Sequence, residues 1–301
     1  MINIPQQAAQ TLLDAARGGE SLIPPYIPTF YWVNGDKKMK LSHAVTYYGG
    51  WATDAIKFES IIANFDKPFP PVLEEFEQIS KDGSPYNVYG SRSIYVMPIK
   101  HIWLWRKENE NGMWEYSQKF SEGSRSVLWW LSIFADRIPV ENGYEYVPWG
   151  PVLLKALGYQ STNLKNSIKT WNAYTEPVRE EMTNALRKAG SWKHSDTISA
   201  SWFWMPVGTF GSEVNTLQVG NVQKSPITPI SPYVPEGKLT EKIMSSLYVG
   251  EEVLNYAVKP LKDTEPWFDS FDNVVEEEVS DTVDTVETVE TPRVDGDGIP
   301  W

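Results

Sequence analysis

The residues with the clearest chemical potential are aromatic side chains set among cations. KHIWLWRK, Lys100 to Lys107, alternates with a period of two: if Ile102 and Leu104 face a core, then His101, Trp103 and Trp105 line the opposite face beside Lys100, Arg106 and Lys107. ISASWFWMPVGTFG repeats the pattern, with Trp202 and Trp204 to one side and Phe203 and Met205 to the other. Outward indoles are costly unless covered, and single-stranded bases cover them well, each stack being worth roughly 1–3 kcal/mol. A second sheet or an acidic segment of the same molecule would cover them too. PTFYWVNGDKKMKLSHAVTYYGGW reads as a hairpin turning at Asn34-Gly35-Asp36, with Lys37, Lys38 and Lys40 after the turn and Tyr47, Tyr48 and Trp51 ending its second strand. Such a hairpin suits a groove that tracks a strand, although lysine there also serves as ordinary edge protection. GSRS occurs at Gly90 to Ser93 and again at Gly123 to Ser126, setting Arg92 and Arg125 ahead of apolar strands where glycine permits close approach of a phosphate. A recurring turn explains the repeat equally well.

Other chemistries find little support. The chain has three His, at positions 43, 101 and 194, without metal-ligand spacing, and no Cys. No GxxxxGK[ST] loop, GxGxxG fingerprint or GxSxG elbow occurs. Asp54, Glu59 and Asp66 are carboxylates that a fold could bring together, yet nothing selects them. The expectation is a binding protein without catalytic residues, metal or cofactor.

The charge is unevenly placed. From Asp263 to Trp301 there are 13 acids against one base, Arg293, so a protein of net charge −12 has 26 acids and 26 bases in the rest of the chain. A segment of that composition buries too little apolar surface to offset the entropy of ordering it, which predicts a disordered acidic tail over 263–301. It finishes on Asp295, Asp297, Ile299, Pro300 and Trp301. This resembles the C-terminal peptide of bacterial and phage single-stranded-DNA-binding proteins, which end in consecutive Asp residues followed by Ile-Pro-Phe. Here Gly296 and Gly298 interrupt the acids and Trp stands for Phe. The resemblance covers about seven residues and the tail's composition. It implies a tip that docks by its aromatic and carboxylate into basic-rimmed pockets of replication, recombination and repair proteins, and an OB-fold body. A solubilising acidic tail is the plainer reading. Asp295, Asp297 and Gly298 resemble the opening of a calcium loop, but such a loop needs further oxygens and a Glu at its twelfth position, so calcium is not the expected ligand.

Around 260 residues precede the tail, enough for one large domain. A neutral body argues against avid duplex binding and leaves room for a single-strand binder with positive charge confined to a groove. The absence of Cys fits a reducing compartment, and neither a basic leader nor a spanning apolar run is seen, so the expected setting is cytoplasmic: the nucleoid or an infected bacterial cell. Residues 1–20 carry a short amphipathic helix. The body, 21–222, is expected to be β-rich with α+β additions: an OB-like antiparallel barrel with long hairpins and a helical insertion around 161–190. Ile56 to Phe65 reads as a strand and Val72 to Ser80 as a short helix. Asn109 to Gly112 reads as the turn of a second long hairpin, and VLWWLSIFA, Val127 to Ala135, as a central buried strand. Helices are expected behind Ser161 and again from Thr175 with Pro177 in its first turn. Residues 223–262 form a proline-rich strap followed by helices. Trp103, Trp105, Trp202, Trp204, Tyr47, Tyr48 and Trp51 are the stacking candidates, and Lys37, Lys38, Lys40, Arg92, Arg106, Lys107 and Arg125 the phosphate candidates. The expected partners are single-stranded DNA and replication and repair proteins, with no membrane; a homo-oligomer is allowed. The alternative is a phage or mobile-element interaction protein that recruits host replication proteins through the tail without binding DNA.

Overall fold

The computed structural model describes residues 23–41, 46–79, 83–141, 143–209, 217–219, 225–227, 230–232 and 239–271. The first half holds β1 (Thr29–Leu41), β2 (Thr46–Asp54), α1 (Ala55–Phe65), β3 (Glu74–Ile79), β4 (Pro85–Ser91), β5 (Ser93–Glu108), β6 (Trp114–Ser117) and β7 (Arg125–Val140). Then follow β8 (Gly143–Leu157), α2 (Tyr159–Lys188), a 3-10 turn at Ala200–Trp202 and β9 (Met205–Gly208). The short strands β10 (Leu217–Val219), β11 (Ser225–Ile227) and β12 (Ser231–Pro232) lead to α3 (Glu241–Ser246) and α4 (Glu251–Asp269).

β7 is apolar on both faces because both faces are covered, and it is buried from Ser126 to Asp136. On one side Leu128 and Trp130 join a core with Leu164, Trp171 and Val178 of α2. On the other, Val127, Trp129 and Leu131 cluster with Trp267 and Phe268 at the end of α4. The Trp129 and Trp267 rings meet edge to face at 5.4 Å, a favoured geometry for aromatic pairs.

Antiparallel pairing joins β7 to β5 and to β8, while β8 runs parallel to the start of β1 through Thr29↔Leu153 and Tyr31↔Lys155. The strand path is β12-β9-β5-β7-β8-β1-β2-β4-β3, with β6 attached to the far end of β5. The protein is therefore β-rich, built on one mixed sheet with an open edge at β12. At the other end, Lys40↔Glu77 and Leu41↔Phe76 join β1 to β3, so β1, β2, β4 and β3 complete a circuit of pairings. The proline-rich segment contributes β11, paired with β10 in a separate two-stranded sheet, and the edge strand β12, positions that tolerate a residue without an N–H. Among the described residues no helix is long and apolar enough to cross a membrane.

Several elements differ from the sequence reading. Asn34-Gly35-Asp36 lies inside β1, at an irregularity between Asn34 and Met39, and the pairing with β2 continues past it through Met39↔Tyr47 and Lys40↔Thr46. Residues 55–65 are helical, not extended. Asp54 caps α1 by accepting from the Lys57 N–H at 2.8 Å, and Phe58, Ile61 and Ile62 fall on its core side. Glu74–Ile79 is a strand, because β4 pairs with it along its whole length. α2 is one helix through Pro177. The proline removes one backbone donor, and side chains bond to carbonyls of the preceding turn: Thr175 Oγ1 donates to the Trp171 carbonyl at 2.8 Å and Arg179 Nη2 to the Asn172 carbonyl at 3.1 Å. α4 runs to Asp269, so 263–269 belongs to the folded body: Trp267 and Phe268 are apolar anchors inside the acidic composition. The N-terminal helix expected over 1–20 lies outside the described residues.

Candidate nucleic-acid interface

Five of the proposed contact residues meet where β5, β6 and β7 end. In register, Trp105 faces Ser126 and Arg106 faces Arg125 across to β7, while Arg106 faces Tyr116 and Lys107 faces Glu115 across to β6. The hairpin turn between β5 and β6 falls at Asn109 to Gly112 as expected, closed by the Gly112 N–H donating to the Asn109 carbonyl at 3.0 Å, with Gly112 at φ 74°. The pleat then divides the five. Trp103, Trp105 and Lys107 lie on one face of β5. Arg106 falls on the Leu104 face, and its cross-strand partner Arg125 shares that face.

On the aromatic face, Trp103 and Trp105 are partly buried and meet edge to face at 6.4 Å; Trp105 meets Phe120 at 4.9 Å, and Phe120 is 66% exposed. The three rings form a row that begins against the main core and runs outward. Lys165, on the first turns of α2, places Nζ 5.1 Å from the Trp103 ring centroid. His101 is exposed on the same face, and partial burial and the neighbouring Lys165 push its pKa down, which keeps it neutral near pH 7.

On the opposite face two arginines stand directly across from each other, an arrangement that costs stability unless an anion or a ring shares the charge. Arg106 lies 4.1 Å over the Trp114 ring. It also borders a cavity of about 480 Å³ between α1, the 23–29 segment and the seam of β1 with β8. Lys57, Lys155, Trp32, Phe58 and Trp129 line it with Arg106. Lys155 sits opposite Trp129 in the β7–β8 register with Nζ 4.3 Å from that ring. Sequence reasoning missed this site because Trp129 belongs to a strand read as buried core and Lys155 comes from the strand beside it. The available signal was Lys155 itself, a lone cation in the apolar run Val152 to Leu157.

The remaining candidates lie elsewhere. Trp51 is fully buried, its Nε1 donating to the Val207 carbonyl at 3.2 Å, and so is a core residue. Trp204 is 2% exposed. It does not alternate outward because Ala200–Trp202 forms a 3-10 turn and the 247–249 segment closes over the stretch: Trp204 N–H donates to the Leu247 carbonyl at 2.8 Å, and Val249 N–H to the Trp202 carbonyl at 3.1 Å. Trp202 is partly buried, edge to face with Trp192 at 5.6 Å. Arg92 sits in the tight link between β4 and β5, where a Cβ on Gly50 would come within 2.5 Å of the Ser91 carbonyl oxygen and one on Gly208 would overlap the Arg92 backbone. The first GSRS is thus a close-packed backbone crossing, whereas the second contains a turn at Gly123, φ 80°, ahead of β7. The two repeats do different structural work. Lys37, Lys38, Lys40, Tyr47 and Tyr48 lie on β1 and β2, but their side chains are outside the described residues, as are Asp295, Asp297, Ile299, Pro300 and Trp301.

Among the described residues no group of three or more His, Asp or Glu side chains is placed to hold a metal ion. No protein-family model matches the chain, and neither a curated protein nor a solved structure matches it.

Proposed function

We propose that the protein binds single-stranded DNA during replication, recombination or repair, with bases stacking on the outer part of the Trp103–Trp105–Phe120 row and phosphates meeting Lys107 and Lys165. The row itself carries the reading: rings that leave the core in single file beside flexible cations suit a ligand whose every unit offers a π-face and a charge. The closed circuit of β1, β2, β4 and β3 is the part of the sheet that an OB-like reading draws on. In this reading the tip from Asp295 to Trp301 recruits replication and repair proteins, and the cytoplasm of a bacterial or infected cell is the setting.

Intrinsic tryptophan fluorescence during titration with oligo-dT tests the proposal. Quenching at low salt is expected, with a log–log salt slope of about −1.4, since about two phosphates neutralised contribute roughly 0.7 each. Unchanged fluorescence and no retention of labelled oligo-dT at low salt would rule the proposal out.

The interaction-protein reading draws its support from two specific observations. Trp51 and Trp204 are core residues and so leave the stacking set smaller. The outer β7–β8 hairpin also exposes Ile138, Val140, Tyr144 and Val147, apolar surface of the kind that protein partners cover. Partner capture without oligo-dT binding distinguishes that reading.

A further inference from the structure

The cavity beside Arg106 carries a charge and a wall that suit a small anionic ligand. Of the lining side chains, Lys57, Arg106 and Lys155 are cationic and Asp54 is the sole acid, three against one. Asp54 is already engaged as the cap of α1. The rest of the wall is apolar or aromatic, including Trp32 and Phe58, and offers a surface for a flat ring. The volume lies within the range of about 300–1,000 Å³ in which small ligands are enclosed.

We propose that this cavity is a binding site for a single nucleotide, with the phosphate on Arg106 and Lys155 and the base against the apolar wall beside Trp32. A nucleotide supplies a planar ring and a compact anion in one molecule. Inorganic phosphate uses only the cations, and a nucleoside only the apolar wall. The aromatic wall beside the cations favours this occupant over a peptide carboxylate, which would use the cations alone. The site is complete without a longer strand, so it goes beyond strand binding along the aromatic row.

The probe is thymidine 5′-monophosphate titrated calorimetrically into the full-length protein, with thymidine and inorganic phosphate as separate arms. Saturable one-to-one binding is expected, weakened about tenfold or more for either half-ligand. Lys155→Gln is expected to weaken the nucleotide by about tenfold. Arg106→Gln should weaken it by about threefold to tenfold while unchanged far-UV circular dichroism shows the fold intact. The same titrations on full-length Trp301→Ala should give an affinity within about twofold of wild type. The inference is overturned if neither protein binds the nucleotide at millimolar concentration, if phosphate alone binds as tightly, or if both cavity variants bind as wild type does. It is also overturned if a synthetic peptide of residues 295–301 binds in a Lys155-dependent way and the nucleotide does not. Oligo-dT quenching is read separately: quenching without mononucleotide binding removes the cavity proposal alone, and mononucleotide binding without quenching removes the strand proposal alone.

Discussion

Trp103–Leu104–Trp105 and Trp202–Phe203–Trp204 carry the same alternation, and the protein uses them in opposite ways. In β5 the alternation is realised as a pleat: Leu104 is fully buried, and the two tryptophans head a ring row that reaches the surface at Phe120. In the second stretch the backbone turns through a 3-10 helix, and residues 247–249 close over it, leaving Phe203 and Trp204 at 1% and 2% exposure. Alternation fixes which residues share a face only while the strand stays extended. What covers that face is decided by a segment more than forty residues away, which no local pattern announces.

The sharpest way to break this contrast is to truncate one indole from each stretch. Trp204→Ala should destabilise the protein by about 3–5 kcal/mol in urea unfolding, the cost of losing a large side chain from a closed core. A loss below about 1 kcal/mol would mean that the stretch is not core. Trp105→Ala should reverse the balance, with stability falling by about 1 kcal/mol while oligo-dT affinity drops by roughly 1–3 kcal/mol, the worth of one stacked base. Equal oligo-dT affinity in wild type and Trp105→Ala would remove the aromatic row from the interface.

A third probe tests where burial of the central strand ends. Asp136 is the last buried residue of β7, just before the exposed Arg137 to Val140. Burial raises its pKa to about 6, opposed by a hydrogen bond from the Val72 backbone, and its Oδ1 has no hydrogen-bond partner. A carboxyl whose folded pKa is raised holds its proton more tightly in the folded state. Its contribution to stability is therefore complete below about pH 4 and is lost as pH rises to about 6, by on the order of 2 kcal/mol. Stability measured by urea at pH 4, 5, 6 and 7 should show that loss in wild type and little of it in Asp136→Asn. Identical pH profiles for the two proteins would place Asp136 in contact with water.

The strands that form the sheet's centre were legible because their chemistry is local: an apolar run on both faces for β7, and a turn at Asn109 to Gly112 for the β5–β6 hairpin. Elements defined by distant partners were not. EEFEQI in β3 has a composition that suits a helix and becomes a strand because β4 and the end of β1 bond to it. AIKFESIIANF in α1 satisfies either period, and the Asp54 cap decides it. The end of α4 was hidden by averaging, since Trp267 and Phe268 are two anchors within an acidic stretch. For the candidate site, Trp103, Trp105, Arg106, Lys107 and Arg125 were singled out in the sequence, and the structure places them near one end of β5. Their division between faces follows from the same period of two that selected the tryptophans, and Arg106 belongs with the cavity for that reason. The cavity needs β1, α1, β5, β7 and β8 together and has no contiguous signature.

The parallel seam between β1 and β8 sets an order of events in synthesis. Thr29 waits for Leu153, 124 positions later (153 minus 29). At about 5–20 residues per second that is an interval of roughly 6–25 s during which β1 has emerged without its neighbour. Throughout it the cavity that spans Tyr31 and Lys155 lacks its β8 wall. The cavity is therefore completed late, with the closing of the seam.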